Sequence, residues 1–500
     1  MPKKIPYIDF MILKLAVLFV LSFAIPYSGN AKVIYKKSVY SLPLSFDPIK
    51  MNDTASLLVS NLLYDGLLKF SPTMGIEGSL AESWNTSRDG KVLKFNLRKN
   101  IFFHNGKPIT ATDVVVSLKR LINPESIVRD YFETIEGSDT QNIGIRALDN
   151  KVVEIKFKKP FPGFLNLMAG ATAKILPASE VNKPAFFKRP IGSGPFKLAS
   201  ISKDKLKLEI FDKYHNLNTN IEEMWLILSG EEKAISDALD DNLDDLANWP
   251  LSQNSEVFKK GKHFQAPVAA TWIIGLNVRK SPLDSKEIRQ RFKYDFPSDE
   301  FRKKFYPEAY QAFGYIPPGV PGHLTTATSF VPSKKISKES IRIVIPSELE
   351  KKKEMKEFIM NSMNSKGWNV VVDTIAWPEL MKGYKDKEWQ GFLVSMNMDY
   401  PDQNFLLRNF YSSNADNFSG LSNNKIDELL DQSQKEIDRS KRKELSDKVV
   451  SLIEEESVTI NLFHPRAHYW VSKCIENFSA NILSDVYIDY TQIKKVKGCL

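Results

Sequence analysis

A carboxylate follows a short apolar strand late in the chain. Residues 392–394 read FLV, and Asp399 comes shortly after them, directly before Tyr400. In open α/β sheets, ligands lie beyond the carboxyl ends of strands, so the segment 396–402 is the candidate binding site. A carboxylate there could accept a charge-assisted hydrogen bond, worth about 1.5–3 kcal/mol, from a cationic group. The alternative is an exposed aspartate in a turn.

The spacings that mark common enzymes are missing from the sequence. It contains no His-Glu-x-x-His motif, no Gly-x-x-x-x-Gly-Lys-Ser/Thr phosphate loop and no Gly-x-Ser-x-Gly elbow. His464 and His468 would face one metal ion on a helix, but Pro465 between them favours a strand end. We therefore expect no enzymatic activity, no cofactor and no metal. An exported hydrolase is the disfavoured alternative, because His104 and His263 have no motif around them.

The elements that must position these residues follow from apolar periodicity. Helical spacing predicts helices at 111–122, 424–438 and 440–455, the first with Thr110 and Asp113 as a capping box. Alternating or continuous apolar runs predict strands at 92–97, 152–158, 206–210, 224–228, 272–278, 341–345, 368–375, 391–395 and 458–463. Strands that alternate with helices predict α/β lobes. The long return after residue 465 predicts two chain crossings between lobes, near Trp272 and near His464.

The N-terminus is typical of an export signal. Three lysines precede the apolar run 15–25, which is shorter than the roughly 20 residues that span a bilayer. The small residues at 29–31 suit cleavage after Ala31, so we expect residues 1–31 to be a signal peptide. An uncleaved anchor is the alternative. No cysteine lies near the cut, so we expect no lipoprotein anchor.

Charge and cysteine content narrow the class of partner. The chain has 69 Lys and Arg against 60 Asp and Glu, dispersed without a long basic tract, and we therefore expect no nucleic-acid partner. Its two cysteines are Cys474 and Cys499. In an exported chain they could form a disulfide bond that ties the C-terminal tail to the body, or they could remain unpaired.

Several short motifs occur in a fixed order. They are LYDGLL at 63–68, LAESW at 80–84, FNLR at 95–98, FHNGKPITATDV at 103–114 and IGSGPFKL at 191–198. Each is weak alone, and the turn at 192–194 is better interpreted as structural than as an anion cradle, because it opens no helix. Together, however, their order and spacing resemble the family 5 extracytoplasmic solute-binding proteins, the peptide-binding receptors of ABC importers. The resemblance covers most of the chain after residue 32.

The resemblance implies an α/β protein with the two-lobed type II periplasmic-binding-protein fold and an additional small α+β domain. The first lobe would comprise residues 32–75, 186–272 and 470–500, the extra domain residues 76–185, and the second lobe residues 273–469. The implied function is capture of an oligopeptide or similar solute between closing lobes, and its delivery to an ABC transporter permease. We expect a periplasmic monomer. A non-peptide solute or a sensory role is the alternative.

The resemblance also assigns the candidate site. In peptide-binding members, the matching segment supplies an aspartate before an aromatic residue, and its carboxylate pairs with the α-ammonium of the ligand. Asp399 before Tyr400 matches that position. The other residues that we expect at the cleft, mostly apolar or amide side chains, are Met396, Asn397, Met398, Trp377, Trp272, Asn52 and Ser56.

Two segments depart from the family pattern. Residues 392–395, before Asp399, contain no Arg or Lys, so no partner for a ligand carboxylate can be named and the peptide length stays open. Residues 288–292 match the opening of an Arg-containing family helix, but Pro297 ends it early. We therefore expect the second lobe to be rebuilt locally at that point.

Overall fold

The structure is a computed structural model that describes residues 32–72, 75–247, 251–327, 335–386, 388–398 and 400–496. The predicted signal peptide, Asp399 and Cys499 lie outside these ranges. The strands are β1 (Ile34–Val39), β2 (Leu68–Phe70), β3 (Ile76–Gly78), β4 (Ala81–Thr86), β5 (Val92–Leu97), β6 (Ile145–Ala147), β7 (Val152–Lys156), β8 (Phe196–Ile201), β9 (Lys205–Ile210), β10 (Glu223–Leu228), β11 (Gly261–Pro267), β12 (Ala270–Leu276), β13 (Tyr310–Gln311), β14 (Ser340–Pro346), β15 (Asn369–Ile375), β16 (Gly391–Asn397), β17 (Thr459–His464), β18 (Arg466–Ser472), β19 (Ile475–Glu476) and β20 (Lys494–Lys495).

Helices connect and cover these strands. The α-helices are α1 (Thr54–Leu63), α2 (Ala111–Arg120), α3 (Arg129–Phe132), α4 (Phe164–Ala169), α5 (Glu231–Leu239), α6 (Lys286–Asp295), α7 (Ser298–Phe305), α8 (Lys352–Asn364), α9 (Trp377–Asp386), α10 (Gln403–Leu407), α11 (Asn424–Lys435) and α12 (Arg439–Glu456). No helix in the described ranges is long and apolar enough to cross a membrane.

The first lobe is built on a four-stranded sheet in the order β1-β10-β9-β8. Its strands alternate inward and outward side chains, so that Tyr35, Leu208 and Leu226 enter one hydrophobic cluster. Ile493 belongs to the same cluster, so the C-terminal segment does return to this lobe. Within that segment Cys474 is disulfide-bonded.

The extra domain is an antiparallel sheet in the order β4-β5-β7-β6, with α2 packed beside β6 and β7. The predicted capping box forms at the start of α2. The backbone N–H and the hydroxyl of Thr110 donate to Asp113 Oδ2 at 2.9 and 2.7 Å. A helix and an antiparallel sheet therefore pack together in this small unit.

The second lobe contains a six-stranded mixed sheet in the order β13-β17-β12-β16-β14-β15. Alternate residues of β16 enter two hydrophobic clusters, Phe392 and Val394 on one face and Leu393 on the other. Both faces of the sheet are therefore covered, which is why its strands read as apolar runs in the sequence. As expected, α6 ends before Pro297, and the separate helix α7 follows it.

Two chain crossings join the lobes. β11 pairs with β18 in the first lobe, whereas β12 pairs with β17 in the second. The chain therefore crosses at residues 268–269 and at Pro465, where the Val268 N–H donates to the Pro465 carbonyl at 2.9 Å. The crossings lie within a few residues of the predicted ones. Strand pairing differs from the predicted lobe bounds at two points. Trp272 lies in the second-lobe sheet rather than in the first lobe, and residues 466–469 pair with β11 of the first lobe rather than lying in the second.

The turn at 192–194 packs closely between the end of α1 and His104 of the extra domain. A Cβ atom on Gly192 would overlap the Leu63 carbonyl, and the Gly194 N–H donates to that carbonyl at 2.9 Å. The Gly192 N–H donates to His104 Nδ1 at 3.1 Å. Burial lowers the pKa of His104 to about 4, so the ring is neutral at pH 7 and can accept this bond. The turn is structural.

Candidate functional site

The carboxyl ends of three strands lie at one edge of the second-lobe sheet. β14 and β15 run parallel, with Pro346 opposite Ile375, and β14 also runs parallel to β16. Asn397, at the end of β16, lies opposite Ala270 at the start of β12. Because β12 begins directly after a crossing, this edge faces the junction of the two lobes. It is the position at which open α/β sheets bind ligands.

The end of β16 and the residues after it form the tip of this edge, which we call the β16 tip (residues 396–398 and 400–402). The Met398 N–H donates to the Ala269 carbonyl at 2.9 Å, which fixes the tip against the crossing. Met398 and Tyr400 are buried, and Met396 is half-buried. Asn397 is exposed, and its amide oxygen accepts a hydrogen bond from the Ser395 hydroxyl at 2.9 Å. Asp399 itself lies outside the described residues.

Aromatic rings from two domains meet at the tip. The Tyr400 ring lies edge-on to Phe405, with centroids 4.9 Å apart, and edge-on to Tyr131 of the extra domain, at 6.2 Å. The Arg408 guanidinium lies over the rings of Phe405 and Tyr131, at 4.6 and 5.7 Å from their centroids. Tyr131 and Arg408 were not among the predicted site residues. Arg408 lies only nine residues after Asp399 in the sequence, which is a local signal for its place near the tip. No local pattern links Tyr131 to the tip.

Asp402, the second carboxylate of the tip, serves the structure. It caps α10 by accepting the Asn404 N–H at 2.9 Å. It also forms an ion pair with Arg442 and accepts a hydrogen bond from Asn166 Nδ2 of the extra domain at 3.2 Å. Because this carboxylate is buried and already has three partners, it is not available to a ligand.

The two predicted tryptophans occupy different environments at the same edge. Trp272 is half-buried and stacks on Phe463 and Tyr306, with centroids 5.7 and 6.0 Å away. Trp377 begins α9, and its side chain is 45% exposed. Its backbone N–H donates to Glu348 Oε1 at 2.9 Å. Trp377 therefore presents an open aromatic surface, whereas Trp272 presents part of a packed stack.

The first-lobe candidates also differ from each other. Asn52 is exposed in the loop before α1. Ser56 is buried, and its hydroxyl accepts the N–H groups of Leu44 and Ser45 at 2.9 and 3.2 Å, so it shapes this loop. The loop leaves the side chain of Leu44 81% exposed. This apolar surface was not among the predicted site residues.

A cavity of about 340 Å³ lies where the extra domain meets the second lobe. Its volume is in the range of small-molecule sites. Most of its wall is apolar, and the residues that line it include Leu93, Phe157, Phe161, Leu165, Asn166, Pro401, Asp402 and Ile437. None of the predicted site residues that the structure describes lines this cavity. Pro401, the residue directly after Tyr400, does line it.

His464 and His468, which were considered as a metal pair, have different partners. His464 is buried in the second lobe, with Nδ1 3.0 Å from the Thr271 hydroxyl, and burial lowers its pKa to about 3. His468, beyond the crossing, lies 2.9 Å from His263 and 3.1 Å from Glu308. Within the part of the chain that the structure describes, no three His, Cys, Asp or Glu residues are grouped to hold a metal ion.

Comparison with known proteins identifies relatives along nearly the whole chain. The family model for bacterial extracellular solute-binding proteins, family 5 Middle, matches residues 75–418. The dipeptide-binding protein DppE of Bacillus subtilis is 24% identical over 478 residues, which cover 87% of each chain. The unliganded open form of the periplasmic murein tripeptide binding protein MppA superposes with a TM-score of 0.81 at 18% identity, covering 93% of this chain and 98% of the other. DppA from Helicobacter pylori, in complex with the peptide STSA, superposes with a TM-score of 0.71 at 19% identity over 93% and 98%.

Proposed function

The chain belongs to the family 5 bacterial extracellular solute-binding proteins, and from that premise we propose that it captures short peptides between its two lobes. The observation that carries the proposal is the edge of the second-lobe sheet. Asn397 ends β16 at this edge, Tyr400 follows it, and Trp377 follows the end of β15; in the sequence, Asp399 lies between Asn397 and Tyr400. The relatives support this choice of ligand class, because they are named as a dipeptide-binding protein, a murein tripeptide binding protein and a binding protein in complex with the peptide STSA.

Each predicted residue then has a role in this proposal. Asp399 pairs with the α-ammonium of the peptide, because an ammonium that leaves water needs a charged partner. The exposed ring of Trp377 supplies an apolar wall. Met396 and Met398 line the tip with side chains that adapt to different ligands. The remaining contributors are Trp272, Asn397, Tyr400, Asn52 and the loop that Ser56 shapes.

Capture requires the two lobes to move. Two short crossings, at residues 268–269 and at Pro465, form the hinge between them. A peptide that contacts both lobes binds the closed form more tightly than the open form, and it thereby shifts the population toward closure. The closed monomer then delivers the peptide to an ABC permease. Export by the signal peptide 1–31 places the mature protein in the periplasm.

A non-peptide solute is the second candidate. It is favoured by one observation, the absence of Arg and Lys from residues 392–395, which leaves the strand before the tip without a partner for a peptide carboxylate.

Blocking the amine of the ligand separates the two candidates. We expect N-acetylated di- and tripeptides to bind at least about tenfold more weakly than the free peptides, because acetylation removes the ammonium that Asp399 would pair with. Isothermal titration of a free and an acetylated peptide mixture measures the ratio. Equal binding of the two mixtures would argue for a ligand that is not recognised through a free amine.

A further inference from the structure

The cavity of about 340 Å³ between the extra domain and the second lobe has no part in the proposed capture of peptides. Its apolar wall comes from both sides, with Phe157, Phe161 and Leu165 on the extra domain and Pro401 and Ile437 on the second lobe. An apolar space of this size deprives its lining of the dispersion contacts of a packed core, and an apolar molecule that enters restores them. The cavity therefore suits a ligand with an apolar body.

Contacts between the two domains hold the walls of the cavity together. Asn166 Nδ2 of the extra domain donates to Asp402 Oδ2 of the second lobe at 3.2 Å. Gly90 approaches Ile437 so closely that a Cβ atom on the glycine would lie 3.2 Å from Ile437 Cδ1. All four residues line the cavity. A molecule bound there would contact both domains at once and would stabilise the arrangement in which they adjoin.

The charged residues of the wall favour an anion. In the described part of the chain they are Arg439, Arg442 and one carboxylate, Asp402, which is already paired with Arg442. Arg442 Nε is buried and has no hydrogen-bond partner among the described residues, so this donor is not used by Asp402. Arg439 is exposed and lies three residues before Arg442 in α12, which places both arginines on one face of the helix. Two guanidinium groups against one carboxylate leave this wall positively charged.

We propose that the cavity binds a small amphipathic anion, a molecule with an apolar body and one carboxylate, at a site separate from that of the peptide. The apolar body packs among Phe157, Phe161 and Leu165, and the carboxylate reaches Arg439 and Arg442. A guanidinium presents a fork of N–H donors that matches the two oxygens of a carboxylate. The site is separate because none of the described residues assigned to the peptide lines the cavity. The inference does not rest on the proposed function.

The test compares two probes of the same shape. Phenylacetate carries an apolar ring and a carboxylate, and phenylacetamide carries the same ring without the charge. Isothermal titration of the wild-type protein is expected to give a Kd below about 1 mM for phenylacetate and a Kd at least about fivefold higher for phenylacetamide, because only the acid forms charge-assisted hydrogen bonds. Acetate, which has the charge without the apolar body, should bind at least about tenfold more weakly than phenylacetate.

Variants with matched controls locate the bound probe. Leu165→Trp fills part of the cavity and is expected to weaken phenylacetate binding at least about tenfold. Leu148→Trp changes an exposed leucine of the same domain that does not line the cavity, and it should keep the wild-type Kd. Arg439→Gln should reduce the preference for the acid to about twofold or less. Lys441→Gln, which neutralises an exposed neighbour in α12 that does not line the cavity, should keep the preference.

Several results would overturn the inference. Equal affinities of wild type for phenylacetate and phenylacetamide would remove the anion, and no binding of either probe would remove the site. Wild-type affinity in Leu165→Trp, or displacement of phenylacetate by a bound peptide, would place the probe outside the cavity. Because Arg439 is exposed, Arg439→Gln decides the matter even where Leu165→Trp does not fold, and an undiminished acid preference in it would contradict the inference. A protein that binds phenylacetate as expected but no peptide would lose the proposed function alone.

Discussion

An Asp399→Asn variant is expected to bind amine-bearing peptides at least about tenfold more weakly than wild type. Asparagine keeps the size of the side chain but removes its charge, and an ammonium enclosed between two lobes has lost the water that would otherwise solvate it. The melting temperature of the empty protein should stay nearly unchanged, because the substitution preserves the side-chain volume. Isothermal titration of a short peptide and a thermal melt without peptide measure the two quantities.

The matched control for this variant is Asp386→Asn, which neutralises an exposed aspartate at the far end of α9 in the same lobe. It should leave the affinity at the wild-type value. An Asp399→Asn variant with wild-type affinity would show that the ammonium is not bound by this carboxylate. A loss of similar size in both variants would indicate long-range electrostatics rather than a direct contact.

A Lys37→Met variant should lose about 3–5 kcal/mol of its free energy of unfolding. Lys37 is fully buried in β1, with Nζ 2.6 Å from Asp245 Oδ1 and 3.7 Å from Asp485 Oδ2. The Tyr35 hydroxyl donates to the other Asp245 oxygen at 2.6 Å. Without the lysine, two buried carboxylates would lose their cation, and burial already raises the pKa of Asp485. Denaturant titration measures the loss.

Its control is the neighbouring lysine in the same strand. Lys36 points to the other face and is only half-buried. Lys36→Met should change the free energy of unfolding by no more than about 0.5 kcal/mol. Equal effects of the two substitutions would mean that the buried ion cluster does not stabilise the first lobe.

Local patterns in the sequence predicted much of the fold. The helix expected at 111–122 is observed at Ala111–Arg120, and the helix expected at 440–455 is observed at Arg439–Glu456. Apolar periodicity and helix caps act within a few residues, so the sequence displays them directly. The inward position of Lys37 also follows from a local pattern. Lys37 lies two residues from both Tyr35 and Val39, so the three side chains share the buried face of β1.

The candidate site was less predictable because its contacts join distant segments. Tyr131 and Tyr400 come from different domains, and no local pattern predicts that their rings meet. Ser56 was expected to line the cleft, whereas in the fold its buried hydroxyl accepts two backbone N–H groups of residues 44 and 45. The charge balance around Arg408 likewise depends on which carboxylates the fold brings near it.

If this protein carries short peptides, the solute that it retains on purification should be a peptide. The measurement is native mass spectrometry of the mature protein as purified, followed by denaturing release and sequencing of the bound material. We expect a mixed set of short peptides with free amino termini. A single bound mass that is not a peptide would contradict it.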